Sequence, residues 1–457
     1  MKELIERVIS SQREFFNTNA TKSVSFRIDA LKKLKYGIKQ HEEQILDALY
    51  MDLGKSAAEA YMAEVAMVYE EIDTAISSVK KWSKPKRVRG TLTTFPARNY
   101  IYHEPYGVVL VMAPWNYPFN LSMSPVIGAM AAGNCVMLKS SKTSIHTATV
   151  IQKIINGAFD KNYLYCVDAD SNYDDVLDHR YDYIFFTGSP NVGKTIMKKA
   201  SEYLTPVSLE LGGKSPCFVD KDANIKMAAK RIIWGKCLNA GQTCISIDYV
   251  LVHQDVKDLL VEEMKKEIDK RYRNAQESDS YPKIISQRHY DRLLQLMAEE
   301  KNVIGGQHNA ERRKIAPALL TGTDFDKPVM QEEIFGPLLP IIAYTDIDTA
   351  IHELKLREKP LACYVFTNNK KVAQKVIDEV SYGGGCVNDV IIHISNHHLP
   401  FGGIGNSGMG GYHGKFGFET FSHKKGVVKN FTFIDLPLRY APFNESKLKV
   451  LGVMDIW

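Results

Sequence analysis

Tyr183-Ile184-Phe185-Phe186-Thr187-Gly188-Ser189-Pro190-Asn191-Val192-Gly193-Lys194-Thr195 carries an unbroken apolar run into a glycine-containing bend and then into a helical pattern. Apolarity without polar alternation is what a strand covered on both faces requires, and such strands belong to parallel sheets. The same unit recurs upstream at Val108–Met112, 134–138 and 163–167, each run separated from the next by a helical stretch. Strands alternating with helices imply a doubly wound, Rossmann-like α/β domain. After Leu211-Gly212-Gly213 the theme restarts at Pro216–Val219, 249–252, 339–343 and 364–367, so a second α/β domain is expected.

Before these units the chain reads as a helical lead-in to about Ser83. Ile28, Leu31, Leu34 and Ile38, then Ile45, Leu46 and Leu49, recur at three- and four-residue spacing. Residues 89–103 have a loosely extended pattern rich in threonine and tyrosine, which predicts a projecting β-arm, with a strand-like partner at 426–433. The basic run from Lys80 to Arg89 marks the boundary between them and reads as a solvated linker rather than a nucleic-acid patch. The 457 residues include 58 basic and 53 acidic side chains, a small excess that does not imply nucleic acid as a partner. Seven cysteines without CxxC pairs indicate neither a disulfide framework nor a zinc ribbon, and a reducing cytoplasm is expected. No apolar run reaches the roughly 18 residues of a spanning helix.

Several segments carry chemistry. Gly188 to Thr195 satisfies the phosphate-loop pattern G-x-x-x-x-G-K-[ST]. It equally satisfies a variant dinucleotide turn, where glycines admit the backbone and a helix N-terminus faces a pyrophosphate. Both readings imply phosphate, although no later strand ends in a clean magnesium-binding aspartate; Asp220 is the nearest. Asn239-Ala240-Gly241-Gln242-Thr243-Cys244 places a thiol at the end of a small polar bend between a helix and a strand. By itself Cys244 also reads as a plain turn cysteine; the remaining six sit in apolar surroundings and read as buried hydrophobes. Pro114-Trp115-Asn116-Tyr117-Pro118 projects an amide from a proline-bracketed loop at a strand's carboxyl end. Glu210 is a lone carboxylate in Leu209-Glu210-Leu211-Gly212-Gly213-Lys214, suited to proton transfer or to a salt bridge with Lys214. Glu332-Glu333-Ile334-Phe335-Gly336-Pro337 offers a carboxylate for hydroxyls and an aromatic face for a flat ring, or an ordinary acidic turn.

Together these strings, with Pro400-Phe401-Gly402-Gly403, resemble the aldehyde dehydrogenase superfamily in order and interval, nearly end to end. Residues 180–186, 405–410 and 436–440 resemble its class 3, or fatty- and coniferyl-aldehyde, branch. The resemblance implies an NAD- or NADP-dependent oxidation of a medium or long aliphatic, or an aromatic, aldehyde. In that scheme the Cys244 thiolate attacks the aldehyde carbon, and the Asn116 amide with the Cys244 N–H holds the oxyanion. Hydride passes to the nicotinamide, and Glu210 activates the water that hydrolyses the thioester. Glu333 and Phe335 would position the nicotinamide ribose and ring, and Gly188, Ser189 and Gly193 would line the pyrophosphate. Trp115 and Lys139 complete the expected cofactor site, with Lys139 on the adenine ribose. Lys194 stands where the family often has arginine. The implied division is a dinucleotide-binding domain (1–83 and 104–211), a catalytic domain (212–425), an oligomerisation arm (84–103 and 426–435), a tail (436–457), and a homodimer.

Two departures matter. The family's Lys-Pro-Ser-Glu is here Lys139-Ser140-Ser141-Lys142, so a cation replaces the carboxylate that would accept the ribose 2′-hydroxyl and repel a 2′-phosphate. NADP is therefore expected alongside, or above, NAD, unless Lys142 turns to solvent. Ile247 stands where the branch often has proline. His393 and His397 are four apart, but Val390-Ile391-Ile392 and the following Pro-Phe-Gly-Gly loop predict no helix to carry them, so with His398 they read as a substrate-mouth loop and no metal is expected. Two other functions compete: a cysteine hydrolase or acyltransferase using only Cys244, Asn116 and Glu210, and a catalytically silent member. The first lacks a histidine placed to pair with the thiol; the second should have lost Cys244 or Glu210. No apolar anchor follows Trp457, which argues against the membrane-bound type and for a soluble enzyme without membrane or nucleic-acid partners.

Overall fold

The computed structural model describes residues 1–435 and 437–453; Leu436 and 454–457, part of the expected tail, lie outside the described residues. Tyr183–Thr187 is buried along its length and pairs in parallel with Val108–Met112 on one side and Val207–Glu210 on the other. Cys135–Lys139 and Leu164–Cys166 extend the sheet beyond Val108–Met112, and the short strand Gly408–Met409 closes the opposite edge antiparallel. The chain therefore leaves the central strand Val108–Met112 first in one direction and then, through Tyr183–Thr187, in the other. That reversal opens a crevice at the carboxyl ends of these two strands, where doubly wound sheets bind dinucleotides. Pro114–Asn116 follows one of them and Gly188–Ser189 the other.

Helix Asn120–Ala132 is buried at every residue, which accounts for a sequence that is apolar all round. It ends at Gly133 in the left-handed region (φ 97°). Helices Val24–Gln40, Glu42–Leu53 and Ala66–Trp82 of the lead-in pack on the same side of the core, burying Leu31, Leu34, Ile38, Ile45 and Leu49, with Ile28 and Leu46 partly covered. Between Ala57–Ala60 and Ala66–Trp82 the helical path widens into a π-turn, Tyr61–Val65.

The second sheet has seven strands in the order Val303–Gly305, Ala318–Leu320, Leu338–Tyr344, Tyr249–His253, Pro216–Val219, Ala362–Phe366 and Gly384–Val387. All pairs are parallel except the first. A separate three-stranded antiparallel sheet joins Lys86–Val88, Arg98–Pro105 and Ser422–Lys429. Its outline corrects the predicted strand-like stretch at 426–433: the strand begins at Ser422 and ends at Lys429. Ser422-His423-Lys424-Lys425 carries no apolar signal because the strand is solvated on most of its length, and ladder bonds to Arg98–Pro105 hold it instead. Residues 89–97 form a loop with one 3₁₀ turn, Leu92–Thr94, rather than strand. Among the described residues no helix is long and apolar enough to cross a membrane.

Candidate active site

Helix Ile225–Cys237 breaks into three successive left-handed residues, Asn239, Ala240 and Gly241 (φ 52°, 51° and 76°), before the turn that bears Cys244. Left-handed alanine and asparagine are strained and persist only when surroundings over-determine them. Here they are. Asn239 N donates to Glu59 Oε1 at 2.7 Å, and its Nδ2 donates to the carbonyls of Asn116 (2.8 Å) and Gln242 (3.0 Å). A Cβ on Gly241 would lie 2.3 Å from the Gly336 carbonyl oxygen, so only glycine lets this bend approach the Glu332–Pro337 loop. Gln242 Nε2 bonds the carbonyls of Asn239 and Lys283, and Tyr364 Oη donates to the Ile245 carbonyl at 2.6 Å. The thiol is half-buried on a turn fixed from both sides.

Asn116 is buried, and its side-chain Nδ2 donates to Gln242 O at 3.0 Å, two residues before the thiol. An amide nitrogen carries two hydrogens, so one remains for a further acceptor. Tyr117 Oη meets Thr243 Oγ1 at 2.7 Å. The Pro114–Pro118 loop and the Cys244 turn thus form one hydrogen-bonded unit across the two sheets.

Glu210 ends the strand Val207–Glu210 and is 2% exposed, yet neither carboxyl oxygen has a hydrogen-bond partner among the described residues. Lys214 does not pair with it; that ammonium binds Asp248 and the carbonyls of Val329 (2.9 Å) and Glu332 (2.8 Å), which removes the salt-bridge alternative. Burial without compensation pushes the Glu210 carboxyl well above the ordinary carboxylate range. Burial, with Asp248 adding, lifts Glu333 to about 8, while the Gly213 N–H and Lys214 pull it down. Burial likewise lifts the Cys244 thiol to about 12, with Glu333 and Glu210 adding to the rise. Partial exposure and backbone N–H groups favour the Cys244 thiolate, while burial and the two neighbouring carboxylates oppose it.

A cavity of about 1140 Å³ is lined by Trp115, Asn116, Gly188, Ser189, Glu210, Cys244, Glu333 and Phe335 among others. It joins the crevice at the reversal of the first sheet to the Cys244 turn. The profile of the aldehyde dehydrogenase family matches residues 1–427. The chain is 46% identical over 452 residues to the 4,4′-diaponeurosporen-aldehyde dehydrogenase of Staphylococcus aureus, covering 98% of each. It is 46% identical to the dimeric NADP-preferring aldehyde dehydrogenase of Rattus norvegicus, over 93% of this chain and 94% of that one. A substrate-bound structure of the Staphylococcus aureus enzyme AldH superposes with a TM-score of 0.95 at 44% identity, covering 99% of both chains.

The chain belongs to the aldehyde dehydrogenase family. Its relatives place it in the class 3 branch, and it is an oxidoreductase acting on aldehydes with NAD or NADP. The lining suits such a dinucleotide. A Cβ on Gly188 would lie 2.4 Å from Phe186 Cζ, so the loop before helix Pro190–Ser201 must be bare backbone there. Ser189 precedes that helix as its cap, and Pro190 occupies its first position. Gly193, on the buried side of the helix, sits close over Leu211. Lys194 is exposed on the same helix. Trp115 and Phe335 meet edge to face at 5.3 Å on the cavity wall. Glu333 Oε1 is buried without a partner among the described residues, and Gly212 makes room for the carboxylate, since a Cβ there would lie 2.2 Å from Oε2. Lys139 is buried at its strand's end, donating to the carbonyls of Ser140 (3.1 Å) and Ala169 (2.7 Å), which leaves one N–H uncommitted. Lys142 is exposed and has no hydrogen bond or ion pair among the described residues. Lys139 and Lys142 do not line the large cavity, so the structure separates them from the group around Cys244.

Other expectations need amending. Cys386 is half-buried rather than buried, because Gly384–Val387 is the outer strand of its sheet, and its Sγ lies 3.7 Å from His393 Nδ1. Ile392–Ser395 makes a single 3₁₀ turn, but His397 faces Glu70 (3.1 Å) instead of His393. Ile247 is fully buried and packs near Gly235, whose Cβ would lie 3.1 Å from Ile247 Cδ1. Sequence reading missed Lys55, Glu59, Glu64, Asn239 and Gln242, which hold Asn116 and the Cys244 turn. Only Asn239 and Gln242 carried a local signal, as polar residues flanking the glycine of the bend.

Proposed function

We propose that this chain oxidises aldehydes to carboxylic acids by covalent catalysis at Cys244. The observation that carries the proposal is the single cavity shared by the Cys244 thiol, the Asn116 amide and the unpartnered carboxyl of Glu210. Cys244 Sγ adds to the aldehyde carbon, and as the C–S bond forms the S–H bond breaks and its proton passes to solvent water in the cavity. The carbonyl oxygen becomes an oxyanion that accepts from the free Nδ2 hydrogen of Asn116 and the Cys244 N–H. Bound NAD or NADP supplies the acceptor for the aldehyde hydrogen and its two electrons, which converts the Cys244 adduct to a thioester. Glu210 then takes a proton from water, whose oxygen attacks the thioester carbon; the C–S bond breaks, and the carboxylic acid leaves. Burial raises the Glu210 carboxyl well above the ordinary carboxylate range, which makes it a stronger proton acceptor than an exposed glutamate.

Glu333 would hold the nicotinamide ribose, Phe335 and Trp115 the ring side, Gly188, Ser189 and Gly193 the pyrophosphate, and Lys139 the adenine ribose. Lys142, free of any internal partner among the described residues, would favour the 2′-phosphate of NADP. The substrate would be a medium or long aliphatic, or an aromatic, aldehyde; one relative is named for 4,4′-diaponeurosporen-aldehyde. The three-stranded sheet, with Leu92, Phe95 and Val428 exposed on and beside it, would be the element that joins two copies. Free cysteines throughout the described chain suit the cytoplasm. The test is incubation with hexanal or benzaldehyde and either cofactor, following absorbance of the reduced cofactor in wild type and Cys244→Ala. Ester turnover without any reduced cofactor would favour the hydrolase reading instead.

A further inference from the structure

Lys55 and Glu64 form an ion pair at 2.5 Å with neither side chain exposed. Both lie in the helical lead-in, far in sequence from the catalytic segments. Burying such a pair costs several kcal/mol per ion in desolvation, and a well-packed apolar pair of similar volume is commonly as stable. Its contacts indicate a different use. Glu64 Oε2 accepts from the N–H groups of Phe119 (2.8 Å) and Asn120 (3.2 Å), the first turn of helix Asn120–Ala132, where no N-cap side chain serves. Lys55 Nζ donates to the Asn116 carbonyl at 3.0 Å and lies 3.9 Å from the centroid of the Tyr117 ring. Apart from each other, the hydrogen-bond and ring partners of these two side chains among the described residues are all on the Asn116–Asn120 segment, and Lys55 also attracts Glu59, whose carboxylate accepts from Asn239 N. Glu64 reaches it from the π-turn Tyr61–Val65; one extra residue in a helical turn rotates the following side chains, and such turns cluster at functional sites.

The Asn116 carbonyl is thereby held from two directions, by Lys55 Nζ and by Asn239 Nδ2 (2.8 Å) from the Cys244 turn. From these contacts we propose that Lys55 and Glu64 are positioning residues that hold the Asn116 amide in register with Cys244. This rests on the reading of Asn116 as oxyanion donor. An amide displaced by about 1 Å forfeits on the order of a hundredfold in rate, and its complete removal costs roughly 10²–10³.

The test is a double-mutant cycle on the full-length enzyme, with Lys55→Met, Glu64→Gln and Asn116→Ala made singly and Lys55→Met combined with Asn116→Ala. For Lys55→Met, kcat should fall about ten- to hundredfold, with KM for the aldehyde changing less than about threefold. Cofactor affinity, read by quenching of protein fluorescence, should be unchanged. In the Asn116→Ala background the same substitution should cost less than about twofold, because the group it positions is gone. Losses that multiply in the double variant would overturn the positioning role while leaving Asn116 as the donor. An Asn116→Ala variant with wild-type kcat would overturn the donor reading and with it the object of positioning. If Lys55→Met does not fold, the double change Lys55→Met with Glu64→Leu removes both charges. A folded double variant with wild-type kcat would refute the proposal, and one slowed as above would support it.

Discussion

Replacing Glu210 by glutamine removes the cavity-wall proton acceptor that the proposed mechanism uses and nearly conserves its volume. Both carboxyl oxygens are buried without partners among the described residues, and burial raises the group well above the usual range. The amide cannot accept the proton from water, so deacylation should lose the benefit of a general base, roughly 10²–10⁴ in rate or about 3–5 kcal/mol. Acylation at Cys244 should survive. With hexanal and saturating cofactor, rapid mixing should therefore give one equivalent of reduced cofactor per site, followed by a stall, where the wild type continues to turn over. Steady-state turnover within about threefold of wild type, or the absence of a burst, would refute the role.

The same substitution should move stability the other way. A carboxyl whose folded pKa lies above the unfolded value of about 4.3 is fully protonated in both states only at low pH. As pH rises past that value the unfolded chain releases the proton and the folded chain keeps it, so wild-type stability falls until the folded pKa is passed. Glutamine has no such loss. The melting temperature of Glu210→Gln relative to wild type should therefore be higher at pH 8 than at pH 5, and a difference independent of pH would show that the carboxyl is not buried uncompensated.

Lys142→Glu should shift the ratio of kcat/KM for NADP over NAD downward by about tenfold or more, since one charge-assisted contact to a phosphate is worth about 1.5–3 kcal/mol; an unchanged ratio would mean the exposed side chain never meets the cofactor. Cys244 should react with iodoacetamide at a rate that keeps climbing above pH 9, because its thiol is pushed up to about 12 by burial and by the neighbouring carboxylates. Peptide mapping must separate it from half-buried Cys386, which burial lifts to about 11. A plateau below pH 9 would show a thiolate already formed.

The parallel strands were legible because burial on both faces leaves no room for polar residues. Val108–Met112 and Tyr183–Thr187 are buried throughout, and their sequences say so. The polar strand Ser422–Lys429 was legible only in part. Its side chains face solvent, Lys425 reaching Glu104 at 2.8 Å, and its register comes from a strand more than three hundred residues earlier. The same distinction divides the site. Cys244, Asn116 and Glu210 stand in short strings whose local oddity marks them. Lys55 and Glu64 stand among ordinary helical residues, and only tertiary contact reveals that a lysine and a glutamate nine apart are both fully buried against a segment 55 to 61 residues away.

The carboxylates around the thiol bear on why the site needs its positioning so well fixed. Cys244, Glu210 and Glu333 are acids that raise one another or are raised by burial, so ionising any one makes the next harder. Among the described residues none of the groups acting on the thiol is a cation. In the proposed mechanism the chain's own contribution is therefore to stabilise the negative charge after it has moved from sulfur to the aldehyde oxygen, through the Asn116 amide and the Cys244 N–H. Their geometry is what the strained turn at Asn239–Gly241 and the contacts to Gln242 O and Asn116 O hold in place. Strain at the turn and an uncompensated carboxyl at Glu210 are thus both costs to stability, accepted at the points where charge must appear late and move a short distance.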